Sequence, residues 1–231
     1  MKNLFPAIAL LSLVSCKKEL PKDPPINEVS VKEEGTDTIK SKTVKDALYM
    51  EFKPKTISNL KISGFDVSKA FSIGENTIAV GSYSALDGKI TLPDTEENFG
   101  KRLLLLNNKN QIIYTSQGSG EAYLYEPHFY KNNQNGNIII VCQQAFEYFF
   151  GGDAYLLQSG TIKHIGNLDI EPNNEEKSLT DILKIKESKD EIIFTFNADS
   201  LVLKPGNEDI IIKNNNNTQY IYNHQSLKLH Q

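Results

Sequence analysis

From Ile57 to the end of the chain, apolar and β-branched residues fall in short runs, not at helical spacing. The runs occupy residues 77–80, 103–106, 111–115, 123–130, 138–142, 154–157, 161–165, 192–196, 210–212 and 220–222. Each is about the length of a strand, and Val, Ile, Tyr and Phe suit a pleated, half-buried surface. Turn formers stand between them: Asn107-Asn108-Lys109-Asn110, Asn135-Gly136-Asn137, Ser159-Gly160, Pro205-Gly206-Asn207 and four asparagines at 214–217. Most gaps are short, so neighbouring strands are expected to pair as antiparallel hairpins. Only residues 175–181 have helical character, and they predict one turn or none. The pattern predicts an all-β domain.

The runs also suggest an internal repeat of four strands in roughly fifty residues, the size of a propeller blade. One unit spans 70–117, the next 123–170, the third 179–222. The expected architecture is an antiparallel meander of four-stranded propeller-like units. Three units are few for a closed propeller, so a small or open propeller, a ring of several copies and a β-sandwich remain alternatives. Any all-β chain with regular turns also looks repetitive.

Ahead of Ile57 the composition changes. Residues 17–55 are rich in Lys, Glu, Asp, Pro, Thr and Ser and poor in large apolar side chains. Such a segment buries too little surface to offset its ordering entropy, so 16–56 is expected to be a disordered tether and 57–231 the folded domain. Residues 44–52 read as a short helix or a first strand.

The N-terminus begins Met1-Lys2, continues through an apolar run over 4–13 and ends in Leu13-Val14-Ser15-Cys16. The run is too short to span a hydrocarbon core of roughly 30 Å as a helix, and Lys17-Lys18-Glu19 follow at once. This arrangement resembles the lipobox of bacterial lipoproteins. The resemblance implies removal of 1–15 as a signal peptide, a diacylglycerol on Cys16 and acylation of the new amine. Several acyl chains make an effectively permanent membrane anchor. Lys17 after the cysteine implies the outer membrane, on its periplasmic or its surface face. With Cys16 lipidated, Cys142 is alone, so no intramolecular disulfide holds the domain. Cys142 ends the apolar run 138–142 and is expected to be a buried hydrophobe, not a reactive thiol.

Charge excludes one class of partner. The formal net charge is -4, lysines and acids are interspersed, and Arg102 is the one arginine. Nucleic-acid binding needs a basic face, so it is not expected. Trp is absent, which weakens a sugar-stacking site without removing it.

Four local features carry candidate chemistry. The loop Asn132-Asn133-Gln134-Asn135-Gly136-Asn137 resembles the acidic calcium loop of propeller families in frame and glycine. It lacks the carboxylates calcium requires and reads as a degenerate relative or a plain hairpin turn. Gly118-Ser119-Gly120 suits a turn entering a strand that carries Tyr123, Tyr125 and Phe129 at alternate positions. Ser119-Gly120-x-x-Tyr123 is also similar to the S-G-x-x-Y loop of periplasmic lysozyme inhibitors, and Gly81-Ser82-Tyr83-Ser84 resembles another stretch of that group. Phe146, Tyr148, Phe149 and Phe150 surround Glu147 and cannot all face one side of a strand, so they form either a cap on the sheet or an exposed binding patch. The acids of 171–181 read as a solvated loop.

Catalytic signals are weak. The four histidines have no metal-ligand spacing, and no G-x-S-x-G elbow is present. No metal or cofactor is expected. The expected protein is a lipid-anchored envelope protein whose tether carries a non-catalytic all-β binding or scaffold domain for a protein or glycan partner. The binding residues expected are Tyr123, Tyr125, Phe146, Tyr148 and Phe149, with Ser119 and Gly120 shaping the adjoining loop. The alternatives are a lysozyme-type inhibitor acting through Ser119 and Tyr123, and an envelope hydrolase, which needs a cleft holding two carboxylates or a metal.

Overall fold

A computed structural model describes residues 46–85 and 94–231. The strands are β1 (Ala47–Phe52), β2 (Lys55–Thr56), β3 (Phe65–Ile73), β4 (Asn76–Tyr83), β5 (Arg102–Leu106), β6 (Ile112–Thr115), β7 (Leu124–Asn132), β8 (Ile138–Ala145), β9 (Phe149–Gln158), β10 (Thr161–Leu168) and β11 (Ile170–Pro172). After the single turn α1 (Leu179–Ile182) come β12 (Leu183–Ser188), β13 (Glu191–Phe196), β14 (Ser200–Leu203), β15 (Ile210–Lys213), β16 (Gln219–Tyr222) and β17 (Leu227–His230). Every strand pairing is antiparallel. The all-β, hairpin-rich expectation is what the chain adopts. The predicted single turn near 175–181 is α1, where Asp181 Oδ2 accepts the Ser178 N–H at 2.8 Å before Leu183 turns extended.

Nine strands form one sheet in the order β10-β9-β8-β7-β1-β12-β13-β16-β17. Its two end strands approach each other and nearly close it into a barrel. Side chains bridge the seam: Lys163 of β10 donates to the His224 carbonyl at 2.8 Å and sits over the Tyr222 ring. A five-stranded sheet runs β2-β3-β4-β5-β6, and a three-stranded sheet runs β11-β14-β15.

Strand alternation explains how these layers share cores. In β8, Ile139 and Val141 point into the barrel with Phe194, Tyr222 and Leu168. Ile138, Ile140 and Cys142 point the other way, against Ile78, Val80, Leu103 and Leu105 of the five-stranded sheet. Both faces of β8 are therefore buried, which is why its sequence is apolar at every position from Ile138 to Cys142. β5 is likewise covered twice: Leu103 and Leu105 face the barrel, while Leu104 and Leu106 join Ala70 and Ala79 on the far side. Cys142 is fully buried, and burial pushes its thiol well above the ordinary range.

Two of the repeat units emerge as continuous four-stranded meanders. The unit at 70–117 is β3–β6, and the unit at 123–170 is β7–β10. They are not separate blades, because β7–β10 continues through β1 into the rest of the barrel. The third unit divides: β12, β13 and β16 stay in the barrel, while β14 and β15 leave it to pair with β11. The first-strand alternative for 44–52 holds over β1. That strand lies mid-sheet between β7 and β12, so the folded domain reaches ahead of the expected start at Ile57. Its short alternation, with Ala47 and Tyr49 buried and Leu48 and Met50 exposed, is hidden in sequence by its charged flanks. Lys55–Thr56, also inside the expected tether, form β2 and pair with β3, while Cys16 and the tether up to residue 45 lie outside the described residues.

The Asn132–Asn137 segment is the β7–β8 hairpin turn. Asn132 Oδ1 accepts from the Gln134 and Asn135 N–H groups at 2.8 and 3.2 Å, so the turn's own backbone occupies that oxygen.

Candidate functional site

The β8–β9 hairpin breaks alternation where the aromatic cluster lies. Phe146 N–H donates to the Tyr148 carbonyl at 3.0 Å, which makes 146–148 a tight turn. Phe146 packs edge-on against Phe150 with centroids 5.2 Å apart, and Tyr148 is left 50 % exposed. The Tyr148 ring lies against the Pro205-Gly206-Asn207 turn between β14 and β15. Gly206 has φ +74°, and a Cβ there would overlap the Tyr148 hydroxyl and crowd Phe150. Tyr123 comes to the same place from the connection before β7 and is 62 % exposed.

The floor is the outer face of the three-stranded sheet. Ile170, Leu201 and Leu203 face the barrel core. Alternation therefore turns Glu171 and Val202 outward, and the pairings set Glu171, Val202 and Ile211 in one row across the three strands. The resulting cleft encloses about 620 Å³, with Tyr123, Tyr148 and Phe149 at its rim and Glu171 and Val202 below.

Glu171 is 4 % exposed. Its Oε1 accepts from the Gly151 N–H at 2.7 Å and from Gln143 Nε2 at 2.6 Å. Gln143 is itself held, donating to the Gly151 carbonyl at 2.8 Å and accepting from the Thr180 N–H at 3.3 Å. Glu171 Oε2 has no hydrogen-bond partner. Burial pushes this carboxyl up to about 7, against the pull of Gln143 and of the Gly151 and Leu179 N–H groups, and Asp181 adds to the rise. Near neutral pH the cleft thus holds a carboxyl poised between its two charge states.

A second cleft of about 500 Å³ includes Ser119, Gln144, Asp153, Tyr155 and His164 in its lining. Asp153 accepts from the Tyr125 hydroxyl at 3.2 Å, Gln144 Nε2 at 2.9 Å and Asn167 Nδ2 at 3.4 Å. His164 Nε2 lies 3.3 Å from Asp153 Oδ1, the oxygen that also accepts from Asn167. The Tyr125 and Tyr155 hydroxyls are 2.9 Å apart, and burial raises both phenols. So many partners on Asp153 make this a structural polar network, with the unpartnered Ser119 Oγ buried at its edge.

The expected binding residues are thus divided. Tyr123, Tyr148 and Phe149 share the first cleft, whereas Phe146 joins Tyr148 and Phe150 in a shallow hollow beside it. Ser119 opens onto the second cleft, so the two outer residues of the Ser-Gly-x-x-Tyr motif line different cavities. Gly120, at φ +63°, donates to the Phe99 carbonyl at 2.8 Å, and a Cβ on Gly118 would overlap that same oxygen. Tyr125 is not a surface residue: it is 2 % exposed in the core between the barrel and the five-stranded sheet. Tyr123 and Tyr125 do not share a face because β7 begins only at Leu124, so alternation does not extend back to Tyr123. The acids of 171–181 are likewise not all solvated, since Glu171 lies within β11. Sequence reasoning missed Glu171, Gln143, Asp153 and His164. The one available signal was Glu171 itself, a lone acid between Ile170 and Pro172.

Among the described residues no cluster of three or more His, Cys, Asp or Glu side chains is placed to hold a metal ion. No helix among them is long and apolar enough to cross a membrane. Compared with known proteins, the chain matches no family model, no curated protein and no solved structure.

Proposed function

We propose that this chain is an acylated lipoprotein of the bacterial envelope, anchored through Cys16, whose domain is a non-catalytic binding module. The cleft beneath Tyr123 and Tyr148 is where it takes its partner. The observation that carries this reading is the convergence of two largely exposed tyrosines, from separate connections, over a concave floor. Exposed aromatic side chains at a concavity are the usual anchors of protein recognition, and they give contact area at low entropic cost. The lipobox and the polar segment behind it supply the location: a domain held at the membrane on a leash, free to reach a neighbour.

The test is a Tyr123→Ala, Tyr148→Ala double variant in the acylated protein, compared with Ile113→Ala. Ile113 is 51 % exposed on β6, which lies in the five-stranded sheet. Capture of the envelope partner on intact cells should fall at least tenfold in the double variant and stay unchanged in the Ile113 variant. Equal capture by both would refute the assignment.

A further inference from the structure

The chemistry of the cleft selects its occupant. Glu147, Glu171, Glu175 and Asp209 line it against one lysine, Lys177. Three of these acids are exposed and screened by water. Glu171 is not. Its Oε1 is filled by Gly151 and Gln143, while Oε2 is a buried acceptor without a donor. Strand alternation sets this side chain on the cleft side of β11, beside Val202. An anion at this place would meet the carboxylates of Glu147, Glu175 and Asp209, and that of Glu171 whenever it is ionised. A neutral hydroxyl would fill Oε2 and gain nothing from the surplus charge. A cation satisfies both, since a concave low-dielectric wall focuses the negative field and tyrosine faces attract positive charge.

We propose that the cleft binds an organic cation, an ammonium or guanidinium group, which pairs with the Glu171 carboxylate beneath the Tyr123 and Tyr148 rings. This rests on the cleft being the binding site and names the chemistry it takes. The group has two sources: a lysine or arginine side chain on a partner protein, or a free amine.

Calorimetric titration of the full chain tests it with three probes. Nα-acetyl-lysine methylamide stands for a protein side chain, cadaverine for a free amine, and Nα-acetyl-norleucine methylamide is the uncharged control. Either cation should bind at least tenfold more tightly than the control, and the better of the two identifies the source. Glu171→Gln keeps the acceptor for Gly151 and Gln143 but removes the charge, and it should weaken the cation at least tenfold. A Glu147→Gln, Glu175→Gln variant leaves the buried network untouched and should weaken it severalfold. Equal binding of cation and control, or an unchanged affinity in Glu171→Gln, would overturn the proposal. If no cation binds while capture on cells still depends on Tyr123 and Tyr148, the cation inference falls and the binding reading stands. If that dependence is also missing, both fall.

Discussion

Substitution of Glu171 by Gln should change how stability depends on pH more than it changes stability at any one pH. The carboxyl titrates near 4.5 in the unfolded chain and near 7 in the folded one, because burial disfavours its charge. The folded protein therefore holds this proton more tightly. The stabilisation is complete below pH 4.5 and is lost as the pH rises through 7. At about 1.4 kcal/mol for each tenfold change in proton affinity, the loss is about 3 kcal/mol. Glutamine is neutral throughout and keeps an oxygen for Gly151 and Gln143. Urea unfolding at intervals from pH 4.5 to 8 would measure both proteins, and their difference cancels every other titrating group. The wild-type stability should fall relative to the variant by about 3 kcal/mol across that window, with the slope steepest between pH 5 and 7. Parallel curves would refute the reasoning, since they would mean that Glu171 has the same proton affinity folded and unfolded.

Other outcomes follow from neighbouring features. Arg102 is buried, ion-paired with Asp94 and placed 4.4 Å from the Tyr83 ring centroid. Asp94→Ala leaves that charge unpaired and should cost about 3–5 kcal/mol in urea unfolding, whereas a loss below about 1 kcal/mol would contradict the burial. Gly206→Ala forces a side chain into left-handed backbone and into the Tyr148 hydroxyl. It should cost about 1–2 kcal/mol and make Tyr148 nitrate faster. Cys142 should react with thiol reagents only after unfolding. The thiol count in denaturant then reads the anchor: one for protein acylated at Cys16, two for protein that is not.

Much of the scaffold was legible because its signals are local. The apolar run at Ile138–Cys142 and the turn at Asn132–Asn137 each depend on residues adjacent in sequence. The all-β class, most of the hairpins and the single helical turn followed from such features, whereas short strands such as β2, β11 and β17 had no apolar run to announce them. The layers did not, because a strand covered on both faces has the same local pattern whether it lies in a blade or in a barrel wall. The departure of β14 and β15 to join β11 depends on pairing across distant segments, and so does the cleft that pairing creates. Tyr123 and Tyr148 were found as exposed aromatics. Glu171 was missed because it reaches the cleft through a three-residue strand whose partner lies 31 residues on, at Val202. Tyr125 was misplaced because alternation was carried one residue beyond the start of its strand.

On the proposed reading, the rim at Tyr148 touches a partner in the envelope. Site-specific photo-crosslinking in living cells measures this directly, with a benzophenone amino acid replacing Tyr148 in one strain and Ile113 in another. Both positions are about half exposed and differ in place. A defined crosslinked species is expected from position 148 and should be absent from position 113. The same species from both positions, or from neither, would contradict that reading.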